Sequence, residues 1–107
     1  MLYKFKSKAA GDVIMLAASG DRVLRILGRD PAATGILEVA AMPAAMQAIE
    51  AAVAQDELER QQAEAEAAAE GKSLPPREAV TLRQRAWPLL EMIRRSHAAG
   101  ADIVWGV

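Results

Sequence analysis

The sequence contains no cysteine, which excludes disulfides, zinc–thiolate sites and cysteine nucleophiles. It contains a single histidine, His97, so any Ser-His-Asp arrangement or histidine metal site rests on that one imidazole. Aromatic side chains are scarce: Tyr3, Phe5, Trp87 and Trp105 are the complete set. No apolar run approaches the ~20 residues of a membrane-spanning helix. Neither sign of charge dominates, with 13 basic and 14 acidic residues and a net charge of −1. A pI near 5.8 differs from the value above about 9 that marks a dedicated nucleic-acid-binding domain. The seven glycines fall into neither GxGxxG nor Walker spacing, which excludes nucleotide binding by those routes.

What the chain does contain is alanine, at 24 of its 107 positions, within a hydrophobic content of 52%. That length implies one domain, residues 1–107, with a modest core. The even charge total conceals an acidic tract. Between residues 50 and 70, seven acids (Glu50, Asp56, Glu57, Glu59, Glu64, Glu66 and Glu70) meet one base, Arg60. Such a run is ordinarily a solvated face; otherwise it is an arm that pairs with a basic surface. The start, Met-Leu-Tyr-Lys-Phe-Lys-Ser-Lys, alternates apolar and basic residues instead of leading into an apolar block, so it does not read as a signal peptide. Together with the missing cysteine, this makes cytoplasmic residence the expectation.

Tyr3, Phe5 and Ser7 share one side of a period-two segment, with Lys4, Lys6 and Lys8 on the other, and this pattern predicts a half-buried strand over 2–7. Ala9–Asp12 reads as a turn. Residues 13–17 fit either a second strand or the opening of a helix. Ser19-Gly20-Asp21 offers helix caps ahead of Val23, Leu24, Ile26 and Leu27, with Gly28 suited to the C-cap. Ile36–Val39 is a short extended candidate. From Pro43 to Gly71 nothing interrupts a helix of about 28 residues, roughly 42 Å long. Its apolar stripe, Met42, Met46, Ile49 and Val53, then runs into Asp56, Arg60, Ala63 and Ala67, so only the first turns can bury much. The extension over about 55–70 and the loop at 71–76 are the candidates for flexibility. A further helix is predicted from about Arg77 to Ala99, with Ala79, Leu82, Ala86, Leu89, Leu90, Ile93 and His97 on one face. Pro88 either kinks that helix or starts a second one. Ile103–Trp105 closes the pattern as a strand whose natural neighbour is the N-terminal one.

The expected fold is α+β: a small antiparallel sheet from the N- and C-terminal strands, packed on a long antiparallel helical hairpin, with one additional short helix. The hairpin would set the acidic tract against a basic one carrying Arg77, Arg83, Arg85, Arg94 and Arg95, either within one chain or across a dimer.

The blocks YKFKSKAAGDVIMLAASGDRVLRILGRDP with GILEVAAMPAAMQAIEAAV, and LRQRAWPLLEMIRRSHAAGADIVWGV, resemble a small proteobacterial family, Domain of Unknown Function family 1840. The resemblance covers nearly the whole chain and is weakest over about 55–76. It implies a stand-alone cytoplasmic protein and brings no activity, substrate or catalytic residue.

Two side-chain groups merit structural attention. Arg83, Trp87, Glu91 and Arg94 share one flank of the second long helix, with Trp87 about 110° from its apolar face. They read either as an interaction patch or as a tryptophan covering the rim of the core under Arg83. His97 with Asp102 is the alternative, a ligand site that no motif spacing supports. No catalytic residue, cofactor or metal is expected. The leading expectation is a non-catalytic interaction module that binds itself or another protein through the long helices. A small ligand-binding protein or enzyme is second. Nucleic-acid binding through the Lys4, Lys6, Lys8 and Arg22, Arg25, Arg29 rows comes third, since these rows lack interleaved exposed aromatics.

Overall fold

A computed structural model describes residues 2–72 and 81–106. Strand β1 (Leu2–Ser7) pairs antiparallel with β2 (Ala10–Leu16), and helix α1 (Ala17–Ile26) follows directly. Strand β3 (Gly35–Leu37) and a turn of 3₁₀ helix (Val39–Ala41) lead into the long helix α2 (Met42–Ala69). Helix α3 (Leu82–Ala99) runs back along it, and β4 (Ile103–Trp105) ends the fold. The sheet order is β2-β1-β4-β3 with every pair antiparallel, so β1 and β4 pair as expected, forming its centre, and β2 and β3 are its edges. The architecture is α+β. Residues 13–16 belong to a strand.

The alternation of β1 has the predicted consequence: Tyr3 and Phe5 are buried while Lys4 is exposed. Phe5 meets Trp105 across the β1–β4 pair, with ring centroids 5.6 Å apart. Helices pack on this side of the sheet through Val23 and Leu24 of α1, Ile49 and Val53 of α2, and Leu89, Leu90 and Ile93 of α3. Each such aliphatic side chain contributes about 1.5–3 kcal/mol on burial.

Helix α2 runs the anticipated 28 residues with Pro43 in its first turn. Its buried positions are Met42, Ala45, Ile49 and Val53, and none follows Val53. Ala45 takes the place expected for Met46, which is half-buried. The rod sets the shape of the molecule: its extents are 51 × 28 × 23 Å, and its radius of gyration is 15.8 Å against about 13 Å for a compact chain of ~100 residues.

Four local expectations need correction. The β1–β2 turn is Lys8–Ala9, not Ala9–Asp12; Gly11 and Asp12 lie in β2, where a bulge absorbs an extra residue opposite Phe5–Ser7. Helix α1 starts at Ala17, ahead of the Ser19-Gly20-Asp21 caps, and Leu16 precedes it without a side-chain cap. Ser19 and Gly20 are buried inside the helix instead. The Ser19 hydroxyl accepts a 2.6 Å hydrogen bond from Arg85, and Gly20 lies flat against the Tyr3 ring. Helix α3 begins at Leu82, because Thr81 is extended and forms a capping box with Gln84. The parts of the Gly71–Ala99 expectations that fall on 73–80, including Arg77 and Ala79, lie outside the described residues. Finally, His97 is exposed and does not share the buried face; Met92 and Ser96 do. Pro88 sits within one continuous helix, and Gly28 and Gly100 close α1 and α3 with φ of 79° and 69°.

Candidate functional site

The α3 flank comes together as the spacing implies. Trp87 is half-buried against the core, and the guanidinium carbons of Arg83 and Arg94 lie 4.9 and 5.2 Å from the centre of its ring system. Both arginines also reach across to α2. Arg83 donates to Glu57 at 2.6 Å, and Arg94 donates to Glu50 at 2.8 Å and to Glu91 on its own helix. Hydrogen bonds donated to Glu57 by Arg83, and to Glu50 and Glu91 by Arg94, hold the two guanidinium groups above their ordinary pKa. On the other side of α2, Asp56 accepts from Arg60 at 3.0 Å and pairs with Arg22 of α1 at 3.6 Å. The charge complementarity between the acidic and basic tracts therefore operates within one chain. It is a clamp between helices, and its exposed ion pairs are screened by solvent and add little to stability. Beside the clamp lies an open depression of about 520 Å³ lined by Arg83, Gln84, Trp87 and Pro88.

His97 and Asp102 do not converge on one pocket. His97 is exposed in the last turn of α3. Asp102 precedes β4 and accepts a 3.0 Å hydrogen bond from the Val39 amide, which ties the strand to the 3₁₀ turn. Asp102 also lines an open groove of about 710 Å³ with Lys6, Ser7, Lys8 and Val104, and His97 is not part of that lining. Among the described residues no three His, Asp or Glu side chains are grouped to hold a metal ion.

The buried hydroxyls have structural partners. Ser96, fully buried, shares a 2.7 Å hydrogen bond with Ser7 and joins α3 to β1. The Tyr3 hydroxyl donates to the carboxylate of Asp21. That bond, and then burial, push the phenol above its ordinary pKa.

The helices cover one face of the sheet; its other face presents a surface that the sequence reading missed. Leu2, Ile14 and Leu16 are 59%, 59% and 65% exposed. Leu2 stands opposite Leu16 and Lys4 opposite Ile14 in the β1–β2 ladder, and period-two alternation puts all four on the face away from Tyr3, Phe5 and Met15. The three apolar side chains thus adjoin one another at the β2 corner of the sheet. Beside them Lys4 pairs with Asp12 at 3.5 Å. Val13-Ile14-Met15-Leu16 reads as a buried run in one dimension. It is half exposed because, among the described residues, the strand is covered on one face only. The signal was present: an apolar run in a chain with so few helices cannot be covered on both sides. Of the expected lysine row, Lys4 and Lys6 lie on this open face and Lys8 is in the β1–β2 turn; no aromatic stands beside them, as Tyr3, Phe5 and Trp105 point into the core.

Residues 1–105 match a family model described as Domain of unknown function (DUF1840). No curated protein and no solved structure matches the chain.

Proposed function

The chain belongs to the DUF1840 family, a membership that carries no activity, and on that premise we propose that it is a non-catalytic interaction module that self-associates. The observation that carries this reading is the exposed cluster of Leu2, Ile14 and Leu16 on a sheet face that, among the described residues, no element covers. Isolated exposed leucines are ordinary, whereas adjoining ones on an open face mark a contact surface. The polar side chains outside that cluster support the same reading. The clamp arginines are committed to Trp87 and to α2, and Asp102 to the Val39 amide. We read the chain as one domain working in the cytoplasm, in keeping with the absence of cysteine and of any described helix long and apolar enough to cross a membrane.

Sedimentation velocity and light scattering over a dilution series from about 1 mM to 1 µM test the proposal. A weight-average mass that rises above 11.4 kDa with concentration is expected. A mass fixed at the monomer value throughout refutes it.

A further inference from the structure

We infer that the partner is a second copy of this chain and that the two copies join edge to edge through β2, continuing one antiparallel sheet across a two-fold axis. The inference rests on the self-association proposed above and assigns its surface. Strand β2 is an outer strand of the sheet, with β1 on one side of it. Among the described residues its other edge makes no backbone hydrogen bond to any element. An edge of this kind is ordinarily blunted by lysine, proline or a bulge at its middle. Here Ala10–Leu16 contains neither lysine nor proline, and its bulge lies at the Gly11–Asp12 end, leaving Val13–Leu16 regular.

The charges favour a copy of the same strand over a charged partner. The one ionisable residue of β2, Asp12, is already paired with Lys4 on the neighbouring strand. Two such edges can therefore approach without setting unpaired like charges together. The symmetry is also suitable. An antiparallel pair of identical strands is closed by its own two-fold, so association stops at the dimer. The register centred on Met15 sets Ile14 of each copy opposite Leu16 of the other on the open face. Each copy's Leu2 flanks them from β1, opposite Leu16. The most exposed apolar side chains of the sheet, at 59–65%, thus become one continuous strip, and the unpaired backbone groups gain partners at the same time.

The test measures the association of the full chain by sedimentation and compares it with Ile14→Lys and Leu16→Lys. Both side chains point to solvent, so the core is left intact and circular dichroism verifies the fold. Leu58→Lys on α2 and Trp87→Ala on α3 are the helix-side comparison. A rise of tenfold or more in the dimer dissociation constant for the two β2 variants, with the helix variants near the parent, is the expected result. Isotope-filtered NOEs between Ile14 and Leu16 methyls of labelled and unlabelled copies supply a readout that needs no substitution. If the parent dimerises and the β2 variants dimerise equally well, or no such NOEs appear, the edge assignment is overturned while self-association stands. A parent that stays monomeric at every concentration overturns both.

Discussion

Gly20→Ala offers a direct test of how α1 is seated, because two well-characterised effects predict opposite signs. Replacing glycine by alanine inside a helix ordinarily stabilises by about 0.5–1 kcal/mol. At position 20, however, a Cβ would lie 2.0 Å from Cδ2 of Tyr3 and 2.7 Å from Cε2 and Cγ, where carbon atoms prefer about 3.5–4 Å. The ring cannot simply swing aside. It is 3% exposed, it stacks on Phe5 at 6.0 Å between centroids, and its hydroxyl is held by Asp21. Overpacking of this kind costs about 1–3 kcal/mol or more. Displacing the ring also endangers a hydrogen bond to a charged group, worth about 1.5–3 kcal/mol. The steric and hydrogen-bond losses exceed the propensity gain, so a net loss of about 2 kcal/mol or more is expected. For a chain of this size that lowers Tm by about 10 °C or more. Thermal and urea unfolding followed by circular dichroism measure it. Gly11→Ala, with no atom within 4 Å of the new Cβ, should stay within about 1 kcal/mol of the parent. In a Tyr3→Ala background the Gly20→Ala penalty should disappear, a coupling that a double-mutant cycle reads directly. A Gly20→Ala protein at or above the parent Tm would refute the packing argument.

Other expectations follow from the same geometry. Gly106→Ala should destabilise by about 2 kcal/mol or more, since its φ of +73° is strained for alanine and the Cβ would stand 2.0 Å from the Ala33 carbonyl oxygen; urea denaturation checks it. Ser96→Ala removes one of the two partners of the half-buried Ser7 hydroxyl and should cost about 1 kcal/mol in the same assay. Arg83→Ala and Arg94→Ala should each leave the urea midpoint close to the parent's, as loss of exposed pairs does, while shifting the Trp87 emission because a cation leaves its ring. Tyr3 is the only tyrosine, so ultraviolet titration at 295 nm reads it alone, and its midpoint should lie above the ordinary 10.0. A phenol raised on folding adds stability that is complete below pH 10 and lost as the pH climbs through the folded-state value. Tyr3→Phe should remove that component of the alkaline loss.

Elements held by local rules were legible in the sequence. The alternation of Tyr3, Phe5 and Ser7, the uninterrupted stretch after Pro43, and Gly28 and Gly100 past helix ends each state a backbone requirement in a few neighbouring residues. What the sequence hid depends on residues far away. Ser19 and Gly20 look like a cap, but Arg85 and Tyr3 draw them into the body of α1. Ser96 replaces His97 on the buried face because Ser7, 89 positions earlier, satisfies its hydroxyl. The four residues of the α3 flank were found by helical spacing alone, yet their commitment to Glu50 and Glu57 requires the hairpin. The exposed side of β2 required knowing which strands have two neighbours and which have one.

The sheet order also dictates when the molecule can fold. Its central pair joins Phe5 to Trp105, a hundred positions apart, and among the described residues β3 has only β4 for a neighbour. On a ribosome, a nascent chain can form the β1–β2 hairpin and its helices early. The inner flank of β1 and the whole of β3 then wait for Ile103–Trp105 to emerge. Such long-range closure makes folding slow and late. In that interval Phe5 lacks the indole that seals it.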